Sequence, residues 1–547
     1  MKRYLAIAGL VGGLLAAPPK AERVYLSESV SEPEAPSVFN WAGPRHFASP
    51  MALTVALTDS GTSQFDYWTT IQEPANVNMY DFRSVAWLYR HPSAPVAIRW
   101  SWNEGSTWDF MDSLNFKAGL ADAGGRYPQA VPRNVNEYPV GTWPELAPGP
   151  AWGYMATATA DPSNTIGDRT DNIGTHKNIG VYMNDGNVFV AGSDAGQIIY
   201  LGVYDPNGGT YIYEPTALLS GVYITGIDYD QFNDVVYFFG TDMSLGPAYW
   251  KITWDGTSIN IDGPYLFAPI YQMDLGGGYV LDAIISDESA LSFDIQTNPV
   301  TVKPLYVCEL AALNSQADTL SKAIVIANED TSYPVVVLNP ADPNAFLYYP
   351  NIVTDFYGNY VIIYNQMTQW DGNLGWGWYD VYKTVCTNHI GNVWSTPVNL
   401  TNTSNVNECM VHAPKHFRND NGSARIWLTY IYDPVNNLDL YFNSWLSAAL
   451  PHYKDLAYDD QSIDVAETGS GASLFSYRMV GHSLVLSGLP SNTRANATVY
   501  DVAGREIVSA EGMGSIRIDM SGLPVGTYLF RAEAGKFTGT GKVVVTK

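Results

Sequence analysis

Cysteine is nearly absent, with three residues in 547. That odd number argues against a disulfide framework as the source of stability. Cys386 and Cys409 are near enough in sequence to pair across adjacent strands, which would leave Cys308 over; free, buried thiols are the expectation. Charge is also scarce, at 15% of residues, and one-sided: 54 acidic residues against 29 basic give a formal net charge of -25. A nucleic-acid backbone or an anionic membrane surface demands the opposite sign. Beyond the N-terminus no window holds eighteen uninterrupted apolar residues, so no transmembrane helix is expected. The composition leans instead on 48 Gly, 33 Pro and 37 Tyr, the mixture of short strands and tight turns rather than helices.

The start of the chain has the layout of a secretory signal peptide. A basic Met1-Lys2-Arg3 precedes an uncharged run from Tyr4 to Ala17, too short to span a bilayer, and cleavage is expected near Ala21. From about residue 22 to 446 the chain is one large all-β domain. Hairpins recur without sequence repetition, as in Val222 to Gly240, with Asn233-Asp234 at the tip, and Asn351 to Tyr364, around Tyr357-Gly358-Asn359. Four-stranded units at this spacing, apolar on both faces, predict a β-propeller of six blades, with seven as the alternative. Pro50 to Thr58 is the expected N-terminal strand that completes the last blade and covers its edge. Residues 447–472, polar and without alternation, read as a linker to a smaller immunoglobulin-like β-sandwich at 473–547.

Ser101-Trp102-Asn103-Glu104-Gly105-Ser106-Thr107-Trp108 matches the Asp-box, also called the BNR repeat, at Ser101, Asn103, Gly105, Thr107 and Trp108; Thr387 to Trp394 repeats the spacing in degenerate form. The chemistry is that of a hairpin turn: Asn accepts from local amides, Gly supplies an unusual φ, and Trp packs over the turn. The motif resembles the Asp-boxes of sialidase-like propellers, where it lies on the blade periphery, so it marks fold rather than chemistry. Near the C-terminus, Tyr500-Asp501, Gly504-Arg505, then Asp519, Gly522-Leu523-Pro524, Gly526, Tyr528 and finally Lys542 fall in three punctuated alternating runs. They resemble the C-terminal sorting domain of the type IX secretion system. This implies binding by the export machinery at the outer membrane, removal of the domain at the cell surface, and a secreted or surface location.

The sialidase resemblance implies three arginines from separate blades to grip a carboxylate, a Tyr nucleophile assisted by Glu, and an Asp acid/base. The chain has no arginine between Arg169 and Arg418 and lacks the early Arg-Ile-Pro signature, so no catalytic residue is assigned. His412 and His416 have zinc-like spacing, but Pro414 between them excludes the helix that would bring them together. The acidic loop with Asp161, Asp168 and Asp171 offers oxygen ligands for calcium without any EF-hand spacing; solvated Asx-turns are the simpler reading, and no cofactor is assigned. Trp370, Trp376 and Trp378, in a Gly-rich segment, are candidate ligand-contact aromatics, or plugs between blades. The expectation is an exported propeller that binds an extracellular glycan or protein without chemistry of its own; a propeller glycoside hydrolase or lyase is the alternative.

Overall fold

A computed structural model of the chain describes residues 56–63 and 74–545, apart from 434–451, 463–475 and several shorter stretches. The signal segment, Pro50 to Val55, most of the degenerate box at 387–394, and Asp501, Gly504 and Arg505 lie outside the described residues. Among the described residues seven antiparallel sheets precede the C-terminal module, one more than the favoured count of six and equal to the alternative of seven. Blade 1 is Ala75–Val77, Val85–Arg90, Val96–Ser101 and Asp109–Met111. Blade 2 is Gln129–Val131, Val140–Leu146, Trp152–Thr159 and Gly167–Arg169. Blade 3 spans Thr175–Tyr182 to Thr210–Ser220, and blade 4 spans Val222–Asp230 to Ile259–Leu266. In blade 5 the strand Lys303–Leu313 pairs with Leu291–Asp294 at its start and with the hairpin strand Tyr279–Ile284 at its end. Blade 6 runs from Leu347–Thr354 to Val398–Asn399.

Blade 2 escaped the sequence pattern for two reasons. Its first strand has three residues, too few for alternation to show. Its second, VGTWPEL, carries Pro144 and an acid, both atypical of a strand interior. Glu145 is nonetheless fully buried, because it accepts a 2.9 Å hydrogen bond from Trp143 Nε1.

Blade 7 joins the two ends of the ring. Asn407–His412 and Ser423–Asp433 are followed by His452–Ser462, and Ala56–Ser63 pairs antiparallel with that last strand. The described closing strand, Ala56–Ser63, overlaps the end of Pro50 to Thr58 and runs beyond it. His452–Ser462 corrects the linker at 447–472: that segment holds a full blade strand. Its acidic residues hide the alternation. Asp459 is buried, and its carboxylate accepts a 2.6 Å bond from Lys383 Nζ on blade 6, which offsets the cost of burying the charge.

Each blade buries both faces, so the cores lie between blades. Leu88, Ile98 and Trp143 fill the seam of blades 1 and 2; Val353, Val411 and Leu428 that of blades 6 and 7. Trp87, Trp427 and Leu456 close the ring between blades 7 and 1. Cys308, Cys386 and Cys409 are buried thiols, not joined in disulfides.

The C-terminal module contains a three-stranded sheet and a four-stranded sheet around Leu484, Leu486, Ile518 and Phe530. Its Asp519 to Tyr528 motif is a locked turn. The amide of Ser521 donates to Asp519 Oδ1 at 2.9 Å, and Tyr528 Oη donates to the Pro524 carbonyl at 2.9 Å. Lys542 lies on the terminal strand Phe537–Val545, which pairs with Gly526–Ala534. Among the described residues no helix is long and apolar enough to cross a membrane.

Candidate functional site

The C-terminal ends of Ala75–Val77, Gln129–Val131, Thr175–Tyr182 and Val222–Asp230, the first strands of blades 1 to 4, gather at one end of the propeller axis. There Asn76, Asn78, Tyr182, Asp228, Lys415 and His416 line a pocket of only ≈ 40 Å³, room for about one water and no sugar ring. The turn after Asn407–His412 fills this space. His416 Nε2 lies 3.1 Å from both oxygens of Asp228 on blade 4, and Nδ1 lies 3.2 Å from Thr354 Oγ1 on blade 6. All three side chains are buried, and the cluster bolts blades 4, 6 and 7 together across the axis. Burial alone lowers the Lys415 amine to about 7.

Beside this pocket Tyr182 Oη donates to Glu137 Oε2 at 3.1 Å and accepts from Asn134 Nδ2 at 3.0 Å. Burial, then the Glu137 charge, pushes the phenol up to about 12. Arg133 is buried behind it and already engaged: it donates to Asn207 Oδ1 at 3.1 Å and pairs with Glu137 at 3.6 Å.

A roomier concavity of ≈ 280 Å³ lies between blades 3 and 4. The turn after Thr175–Tyr182 supplies Met183 and Asp185, blade 4 supplies Tyr229, Asp234, Val236 and Ile252, and the end of Gly246–Trp254 supplies Trp254 and Asp255. Trp254 is half-buried, held edge-on by Tyr213 at 5.7 Å, so part of its ring remains available to the groove. The three carboxylates are oriented by their own turns. Asp185 accepts from the Asn187 amide at 3.0 Å, Asp234 from the Tyr229 hydroxyl, and Asp255 from the Thr257 and Ser258 amides at 2.9 and 2.8 Å. The Ser258 and Thr257 hydroxyls, with those amides, hold the Asp255 carboxyl far below the usual carboxylate range. An aromatic face beside fixed acceptors suits a ligand rich in hydroxyl donors.

The residues singled out by sequence lie elsewhere. Ser101, Asn103, Gly105, Thr107 and Trp108 form the turn between the two outer strands of blade 1. Gly105 N donates to Ser101 Oγ at 2.8 Å, Thr107 N donates to Asn103 Oδ1 at 2.9 Å, and Gly105 takes φ 79°. Trp108 packs edge-on against Trp427 of blade 7 at 6.1 Å. Trp370 leans on Phe346 at 6.5 Å, Trp378 is half-buried on the same hairpin, and the Trp376 side chain lies outside the described residues. Asp161 accepts from Ser163, and Asp168 from Thr210 and Tyr211, so both serve local turns and contacts. No group of three or more metal-type ligands occurs among the described residues. Trp254 gave no sequence signal, since it sits in an ordinary strand and its three acids belong to three separate turns.

Residues 484–546 match the family model of the secretion system C-terminal sorting domain. The chain therefore carries a type IX sorting domain and is secreted or attached at the cell surface. No curated protein sequence matches the chain. Among solved structures, a PL25 ulvan lyase aligns over 90% of this chain and 96% of its own, with 10% identity and a TM-score of 0.30. The Trypanosoma rangeli sialidase in complex with the inhibitor DANA aligns over 90% and 88%, with 10% identity and a TM-score of 0.31. AofleA from Arthrobotrys oligospora aligns over 63% and 90%, with 9% identity and a TM-score of 0.32. Similarity at this level carries no inference about residues or chemistry.

Proposed function

We propose that this exported propeller binds extracellular carbohydrate without transforming it, through the groove between blades 3 and 4. The observation that carries the reading is the half-buried Trp254 ring flanked by Asp185, Asp234 and Asp255 in a ≈ 280 Å³ groove. That volume lies just below the pockets of drug-sized ligands, and it suits one sugar ring stacked on the indole with its hydroxyls donating to carboxylates. The buried His416–Asp228–Thr354 cluster, which occupies the described end of the axis, supports a role in binding. Calorimetry of the mature chain against an oligosaccharide panel, scored also for turnover, tests this. Trp254→Ala is expected to weaken binding at least tenfold, about 1.4 kcal/mol, with circular dichroism unchanged. Binding that survives both Trp254→Ala and Asp185→Asn would refute the assignment of the groove.

A second reading, a glycoside hydrolase or lyase, draws on the Tyr182–Glu137 pair beside Arg133. Turnover in the same panel, abolished by Tyr182→Phe, would establish it.

A further inference from the structure

The sign of charge around the groove narrows the ligand. None of its nine described lining residues is basic, and Asp185, Asp234 and Asp255 approach it from three different turns. Carboxylates accept hydrogen bonds and cannot donate them, so the side chains that fix orientation here meet donors on the ligand. The groove also lies on a chain of net charge -25, which repels polyanions at long range and at contact. Uronate and sulfate polymers are thereby disfavoured twice. A protonated amine gains in two ways: it is attracted by the carboxylates, and it is favoured near the indole face of Trp254.

Resting on the carbohydrate-binding reading above, we infer that the groove selects a cationic amino sugar, a polymer of glucosamine type with unacetylated amines. The aromatic face supplies stacking common to any pyranose, and the carboxylates supply the discrimination. N-acetylation removes the positive charge and adds bulk while leaving the ring and its other hydroxyls in place. The acetylated oligomer is therefore the fitting comparison.

The experiment uses the full mature chain at pH 5.5 and four tetrasaccharides of equal linkage, built from glucosamine, N-acetylglucosamine, glucose and glucuronate. The expected result is glucosamine binding at least tenfold tighter than either neutral oligomer, with no binding of glucuronate. That advantage should shrink in 0.5 M NaCl and in the Asp185→Asn, Asp255→Asn double variant. Asn keeps the Oδ1 acceptor that the backbone amides of each turn use, and circular dichroism checks that the fold is retained. Equal affinity for glucosamine and its acetylated form, or preference for glucuronate, overturns the charge inference while leaving carbohydrate binding intact. Failure of all four to bind overturns both.

Discussion

His416 and Asp228 stand 188 residues apart in sequence and meet across the propeller axis, with Nε2 3.1 Å from each carboxylate oxygen. Blade 7 is thus tied to blade 4, and through Thr354 to blade 6. Asp228→Ala leaves a buried imidazole without its acceptor and is expected to cost about 3 kcal/mol. Asp228→Asn, which keeps an acceptor, should cost less than half of that. Urea unfolding of the two variants checks the order; equal, small losses would mean the bolt is incidental.

The turn of blade 1 is expected to serve stability alone. Asn103→Ala removes the bonds to Thr107 and Ser101 and should destabilise by about 1–2 kcal/mol. Carbohydrate affinity should stay as it is. A loss of affinity at unchanged stability would make the motif a binding element.

Stability should also depend on pH through Asp380, whose buried carboxyl meets that of Glu408 at the seam of blades 6 and 7. Burial raises its pKa, so the folded chain holds the proton to higher pH than the unfolded chain does. The resulting stabilisation is complete below the unfolded value of about 3.9 and is lost as pH rises through the folded value. Asp380→Asn cannot ionise; it should raise the melting temperature near pH 7 and flatten this part of the profile. Thermal melts between pH 4 and 8 give the comparison, and a variant that melts lower at every pH would contradict it.

Removing residues 56–63 exposes the edge of His452–Ser462 in blade 7. The truncated chain is expected to melt roughly 5 °C lower or more and to associate through the free edge. Size-exclusion chromatography and limited proteolysis report both effects. A monomeric, equally resistant product would show that the strand is dispensable.

The sequence carried the fold wherever strands were long and turns were marked, as around Asn233-Asp234 and in the Asp519 to Tyr528 unit. It was silent where a buried acid had a partner. Glu145 and Asp459 look like surface residues until Trp143 and Lys383 are placed beside them. The groove was illegible for a related cause: Trp254, Asp185 and Asp234 converge only when two blades stack. The dense Trp370 to Trp378 segment drew attention by local composition, yet Trp370 packs on Phe346.

Because the two termini of the propeller share one sheet, its ring stays open until residue 462 has been synthesised. The first described strand of the sorting module, Ser476–Val480, lies a short distance downstream. The cargo and its export address therefore mature almost together, and a chain interrupted before that point has neither a sealed ring nor a tail for the exporter to recognise.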